Sequence, residues 1–349
     1  MTIALRSFCL WTLAILSAGP ALGDVQFNVS FNDPDGSHAA FQSSIRSAVQ
    51  AAGAQWARYL KPPAGMTPSI EVQINFGNQP TANGTSVTSG YVATRGGYDV
   101  FEQGMAAEIR TGVDPNGTSP DVTIEIGDTY LRNEMWFDPD PATRLAPVPV
   151  TRTDAVSVFI HALGHALGFN GWRAYDTGQL PLEAGEDGAY CSTFDEHIEV
   201  DPGPEFLFTG AVAEARYGGP LPLTAGNIDH LANAAPGLGA DLVPDLMNGV
   251  VYYRGSRYFI SNIDLAVMQD IGVPLTRSEI FPPQILSLKP ESNGLTTVQW
   301  TGANYRLRLE QTASLADPVW VTVARQVEGT KLSFTTPDGG TQFYRLVAE

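Results

Sequence analysis

The stretch from Asp154 to Phe169, DAVSVFIHALGHALGF, constrains the fold more tightly than any other. Val156, Phe159, Ile160, Leu163 and Leu167 recur at intervals of three and four, which predicts a helix over 154–167. Thr153 is expected to cap its start and Gly168 to stop it. So apolar a helix has to lie inside a domain, yet it carries His161 and His165 one turn apart, with both imidazoles leaving the same face. Two buried imidazoles are costly without partners. At this spacing they suit a metal ion, Zn²⁺ above all, which takes nitrogen ligands in a tetrahedron. The chain has five histidines in 349 residues, so two on one apolar helix favour a metal pair over an accident of surface or core.

A chain of this length suits two domains. With 37 Asp+Glu against 20 Lys+Arg the net charge is −17, which argues against nucleic acid and anionic membrane surfaces as partners. Arg6, the apolar run Phe8 to Ala18 and the small residues of Ala21-Leu22-Gly23 read as an export signal over 1–23. The mature chain is then expected to be secreted, by bacterial-type export. No other stretch reaches the roughly 20 apolar residues of a spanning helix, so no membrane span is expected in it. Cys9 lies in the signal, which leaves Cys191 alone: inert, paired between chains, or a metal ligand.

Residues 24 to about 150 read as mixed helix and strand. Phe41, Ile45, Ala48, Val49, Ala52, Trp56 and Leu60 predict a helix that Ser37 or Asp35 could cap. Ser69 to Phe76 alternates as a half-buried strand, and Val87–Ala93 and Val122–Ile126 suggest further strands. The Gly/Pro-rich stretch of roughly 170 to 260 is expected to be a long functional loop. Ser261-Asn262-Ile263-Asp264 resembles a capping box opening a helix through Leu265 and Met268, which stops at Gly272 and Pro274. From about 281, past Pro282-Pro283, short alternating runs such as Val298/Trp300, Tyr305/Leu307/Leu309, Leu332/Phe334 and Tyr344/Leu346 suggest a small all-β sandwich. Aspartates at 33–35 and 138–140 could hold calcium but fit turns better.

His161-Ala162-Leu163-Gly164-His165-Ala166-Leu167-Gly168 resembles the metzincin zinc-peptidase signature H-E-x-x-H-x-x-G-x-x-H, which is followed by a methionine turn. It departs from that pattern at Ala162, where the glutamate belongs, and at Gly171, where the third histidine belongs. In leishmanolysin-like metzincins the third histidine comes later, after an insertion and shortly before the methionine turn. His230 lies 65 residues past His165 and precedes Asp245-Leu246-Met247-Asn248. The resemblance therefore implies His161, His165 and His230 as zinc ligands, with Met247 as the apolar floor beneath them. His197, in Phe194-Asp195-Glu196-His197, competes for the third place. His38 is expected at the surface.

The fold implied is α+β: a metzincin-like domain over 24–278, with a twisted sheet and two long helices. An immunoglobulin- or fibronectin-like β-sandwich over 281–349 follows it. The activity implied is peptide-bond hydrolysis by a zinc-bound water, acting on a protein or peptide. The missing glutamate would take the proton from that water, and losing such a group typically costs about 10²- to 10⁴-fold. The chain is thus expected to be a weakened peptidase, or alternatively a zinc-containing binding module that no longer cuts. Asp195, Glu196, Glu199 and Asp229 are the carboxylates that could substitute for the base. A fourth protein ligand such as Cys191 would instead make the site purely structural.

Overall fold

The computed structural model describes residues 25–349 apart from 145, 201–204, 251, 278–284, 292–294, 301–306, 328–330, 336–341 and 349. The expected export signal, the Pro282-Pro283 junction and Tyr305 lie outside the described residues.

The chain opens with β1 (Gln26–Asn32), α1 (Ala39–Ala57), β2 (Ser69–Gly77) and β3 (Ala82–Ser86). It continues through β4 (Ser89–Arg95), β5 (Tyr98–Gln103), α2 (Gly104–Thr111), β6 (Val122–Gly127) and α3 (Asp128–Asn133). Strands β1, β2 and β6 run parallel, and β3 joins β6 antiparallel at the sheet's edge, in the order β1-β2-β6-β3. The two-residue alternation turns Ile70, Val72 and Ile74 of β2, and Val122, Ile124 and Ile126 of β6, into the core. Each such side chain contributes roughly 1.5–3 kcal/mol when fully buried. Helix α1 covers this face with Ile45, Val49, Ala52 and Trp56.

Three details differ from the sequence expectation. The strand expected over 87–93 forms as β4 but is shifted to Ser89–Arg95, where it pairs with β5, while the preceding β3, which has no clear alternation in the sequence, joins β6. Neither Ser37 nor Asp35 caps α1; the Asp35 carboxylate instead accepts from the Ser37 backbone N–H at 3.0 Å. His38 is buried rather than at the surface. Its ring stacks on Phe76 at 3.9 Å between centroids, and its two nitrogens meet Asp33 at 3.2 Å and Asp128 at 2.7 Å. Carboxylates on both sides are what allow an imidazole to sit there.

After β7 (Met135–Trp136) and β8 (Thr153–Asp154) comes α4 (Ala155–Leu167), the helix expected over 154–167. Its cap is Asp154 and not Thr153: the Asp154 carboxylate accepts from the Ser157 N–H at 3.0 Å, while Thr153 belongs to β8. Asp154 is fully buried and is met by the equally buried Arg144 at 2.6 Å, with Ser157 and the Tyr258 carbonyl completing the cluster. Asp154→Ala would leave a buried guanidinium without its counter-charge, a loss expected to cost about 3–5 kcal/mol. Chemical denaturation of the variant checks this; a cost below about 1 kcal/mol would mean that the pair does not anchor the helix. Helices α1 and α4 lie side by side, and the Trp56 indole N–H donates to the Ile160 carbonyl at 2.8 Å.

The Gly/Pro-rich region holds more regular structure than a loop. It contains β9 (Tyr190–Ser192), β10 (Ile198–Val200), β11 (Phe206–Phe208), α5 (Ala211–Tyr217), β12 (Leu221–Thr224) and β13 (Asn227–Leu231). The last four strands form an antiparallel sheet in chain order. Runs of three to five residues are too short to show a period among glycines and prolines. Helix α6 (Asn262–Asp270) follows, and Ser261 with Asp264 forms its capping box.

The C-terminal strands are β14 (Ile285–Pro290), β15 (Leu295–Trp300), β16 (Leu307–Thr312), β17 (Val321–Val327), β18 (Lys331–Thr335) and β19 (Phe343–Ala348). They make two antiparallel sheets, β14-β15-β18 and β17-β16-β19. Val298, Trp300, Leu307, Leu309, Phe334 and Leu346 form their own hydrophobic cluster, distinct from the larger core. The chain is thus mixed α+β, with helices confined to the part before residue 278 among the described residues. No helix among these residues is long and apolar enough to cross a membrane.

Candidate metal centre

His161 and His165 leave α4 together, and β13 delivers His230 opposite them. Strand β13 is held there by the segment after it, since Leu231 N–H donates to the Met247 carbonyl at 2.8 Å and Gly249 N–H to the Leu231 carbonyl at 3.2 Å. The three Nε2 atoms lie 2.9 Å (His161–His165), 3.0 Å (His165–His230) and 3.2 Å (His161–His230) apart.

The outer nitrogens decide which atoms carry protons. Nδ1 of His161 lies 2.8 Å from the Leu246 carbonyl, and Nδ1 of His165 lies 2.7 Å from the Phe169 carbonyl. A carbonyl can only accept, so in the neutral rings both protons sit on Nδ1, and two bare Nε2 lone pairs face each other at 2.9 Å. Burial pushes the His161 imidazole down to about 3, helped by its neighbour His165, and the His165 imidazole down to about 4. Burial, with the other two histidines, also holds His230 well below its ordinary range. Neutral rings with converging lone pairs are what a metal ion requires, and the trio could hold one.

The same shifts set a pH dependence. Below about 6.5 the unfolded chain takes up protons on these rings that the folded chain refuses. With metal chelated, stability is therefore at its full value above pH 6.5 and falls as the pH drops towards 4. Thermal unfolding across that range should show it, and a midpoint indifferent to pH between 6.5 and 4 would contradict the burial of the trio.

Around the histidines the chain is packed closely. Met247 is fully buried beneath α4, its sulfur so close to Gly164 that an added Cβ would lie 2.7 Å from it. The Leu246 carbonyl that receives His161 also accepts from the Tyr252 hydroxyl at 2.6 Å, and the Tyr252 ring stands edge-on to His161 at 5.3 Å. Gly168, with φ of 132°, ends α4 and releases the chain towards Phe169, whose carbonyl orients His165.

His197 does not join the group; its Nε2 meets the Asp270 carbonyl at 3.1 Å. Gly171 has no room for a side chain, because a Cβ there would lie 2.2 Å from Asp195 Oδ1. Cys191 is buried in β9, its thiol pushed up to about 11 chiefly by burial, and it is not part of the group.

A cleft of about 290 Å³ opens beside His165 and His230. One wall is the edge strand β3 at Asn83–Thr85, and the other is built from Trp172, Tyr175 and Asp229. Ala162 lies under the first wall. An added Cβ on Gly84 would lie 2.7 Å from the Ala162 Cβ, so only glycine lets β3 approach α4 so closely.

The four carboxylates considered as substitute bases have other engagements. Asp195 accepts from Trp172 N–H and from Ser192 N–H and hydroxyl. Glu196 pairs with Arg95 at 2.7 Å, and Glu199 is exposed on β10. Asp229 alone lines the cleft, and its two oxygens accept from Gly171 N–H at 3.0 Å and the Tyr175 hydroxyl at 2.7 Å.

Tyr252, Tyr175 and Trp56 went unmarked as site residues in the sequence. Trp56 and Tyr175 reach a carbonyl and a carboxylate 104 and 54 residues away, and Tyr252 reaches the Leu246 carbonyl that also receives His161 from 85 residues away; no spacing announces such contacts. No family model matches the chain, and neither the curated proteins nor the solved structures yield a match.

Proposed function

We propose that the chain is a secreted, leishmanolysin-like metzincin domain followed by a β-sandwich, in which His161, His165 and His230 hold one Zn²⁺ beside a cleft that receives an extended peptide. The observation that carries this reading is the pair of bare Nε2 lone pairs facing each other at 2.9 Å, with His230 Nε2 converging on them. A tetrahedral ion bonded to nitrogens at about 2.0–2.1 Å wants those nitrogens about 3.3 Å apart, close to the separations here. All three donors are imidazoles, and three protein ligands are the number at which zinc keeps a position open for water or substrate. When bound, zinc would polarise a peptide carbonyl and acidify water.

The chain's own residues do the rest. Leu246 and Phe169 carbonyls hold two imidazoles in the metal-binding tautomer, and Met247 closes the site from below. Among the described residues strand β3 pairs with β6 alone, so its other edge can receive a peptide backbone in the cleft. At the position where the zinc-peptidase pattern places its general base stands Ala162. Ala162 has no acid–base group, and Asp229, the one of the four candidate carboxylates that lines the cleft, holds Tyr175 and Gly171 in place. These engagements favour the second reading, capture of a peptide without efficient cleavage, over full peptidase activity.

An assay of the zinc-loaded chain against unstructured polypeptides distinguishes the two. Saturable binding in the micromolar to millimolar range with hydrolysis close to background is expected. Turnover at ordinary peptidase rates, abolished by His230→Ala, would show that another group acts as base. Neither binding nor turnover would remove the peptide cleft from the account.

A further inference from the structure

A second set of ligating oxygens lies outside the histidine site and has no role in it. Glu108 of α2, Asp114 of the following loop and Asp121 at the entry to β6 bring carboxylate oxygens within 4.8 Å of one another. Glu108 is 2 % exposed and Asp121 1 % exposed, so two carboxylates lie in the interior. One Glu108 oxygen accepts from the Ser69 N–H, while its Oε2 is buried without a partner. Asp121 Oδ2 accepts from the Glu71 N–H at 2.7 Å, and its Oδ1 is buried with no N–H or hydroxyl donor, the Asp121 carboxyl lying against the like-charged carboxyl of Glu71. Glu71 Oε2 and Asn116 Oδ1, from β2 and the same loop, are buried and unpartnered as well.

The charges around these groups are all of one sign. Burial raises Glu108 to about 8, helped by the charges of Asp121, Asp114 and Glu71, and raises Asp121 to about 6, helped by Glu71 and Asp114; the leading influences on both are acidic. Buried carboxylates are ordinarily paired with a cation or coordinate a metal. The aspartates first considered for calcium are different. Asp33 is engaged by His38 and Gln42, and Asp138 by Arg257 and the Asp140 N–H.

We propose that Glu108, Asp114 and Asp121, with Glu71 and Asn116 as further oxygen donors, bind one Ca²⁺. The donor set is entirely oxygen, which selects hard cations over zinc. Several carboxylates from a helix, a loop and a strand entry suit the larger, irregularly coordinated Ca²⁺ better than Mg²⁺, which insists on an octahedron and keeps its waters. Asp114 Oδ1 already folds that loop, accepting from Asn116 N–H at 2.9 Å and Gly117 N–H at 2.6 Å. The ion would fasten the 112–121 loop to the start of β2 and β6. It would also steady the end of β3, because the Asp121 carbonyl accepts from the Val87 N–H at 2.8 Å.

The test uses the full mature chain, stripped with a calcium chelator and then zinc-loaded, titrated with CaCl₂ or MgCl₂ by calorimetry and thermal unfolding. One Ca²⁺ per chain is expected, with a rise in midpoint of roughly 5–10 °C once Ca²⁺ exceeds its Kd about 100-fold. Glu108→Gln keeps the side-chain shape and removes one buried charge. It should weaken Ca²⁺ at least tenfold while leaving the calcium-free midpoint equal or higher, which a mere folding defect would not do. Asp114→Asn, on an exposed position, should weaken Ca²⁺ without altering the calcium-free midpoint. The proposal is overturned if the parent shows neither heat nor midpoint shift with Ca²⁺. It is equally overturned if both variants respond as the parent does, or if Mg²⁺ binds more tightly than Ca²⁺.

Discussion

Replacing His165 by alanine is expected to lower zinc affinity on the order of 10²- to 10³-fold. Structural zinc sites gain about 10–16 kcal/mol from all their ligands together, so one imidazole accounts for roughly a quarter of that. The loss should fall on His161, His165 and His230 alike, because their three Nε2 atoms converge at 2.9–3.2 Å. His197→Ala, with its ring turned to the Asp270 carbonyl, should leave the affinity unchanged. Competition against a chromogenic chelator reads this directly. An unchanged affinity in His165→Ala would place the metal elsewhere.

Ala162→Glu is expected to raise peptide hydrolysis by the zinc-loaded chain about 10²- to 10⁴-fold, the usual worth of a positioned acid–base group. Residue 162 lies on α4 immediately beside His161, under Gly84 of β3, so a carboxylate there would enter beneath the strand that walls the cleft. The same tight contact should lower the melting temperature, since the space beside Gly84 suits a methyl group. The measurement is kcat/KM on an unstructured polypeptide, with zinc content verified in both proteins. Equal rates with equal zinc would mean that the missing glutamate is not what limits this chain.

The histidine trio was legible in the sequence to a useful degree, for physical reasons. An apolar helix carrying two histidines one turn apart admits few other roles, and α4 forms at the expected place, shifted by one residue at its cap. The third histidine was less secure. Pairing of β13 with β12 and hydrogen bonds to the 247–249 segment bring His230 to the helix, and they span residues whose glycines and prolines hide every period. The surroundings were not legible. Tyr252 and His161 share the Leu246 carbonyl, and Gly171 is held bare by Asp195; neither relation leaves a trace in spacing. His38 shows the opposite failure. Its neighbours in sequence suggest the surface, and Asp128, 90 residues away, draws it inside. The acidic group at 108, 114 and 121 was missed because its members come from a helix, a loop and a strand entry, with no motif joining them.

Zinc per chain, counted by elemental analysis after exhaustive dialysis of the parent, His230→Ala and His197→Ala, decides whether the three histidines hold the metal. One zinc is expected in the parent and in His197→Ala, and a clear loss in His230→Ala. A parent without zinc when micromolar metal is supplied, or zinc lost from His197→Ala and kept by His230→Ala, would contradict it.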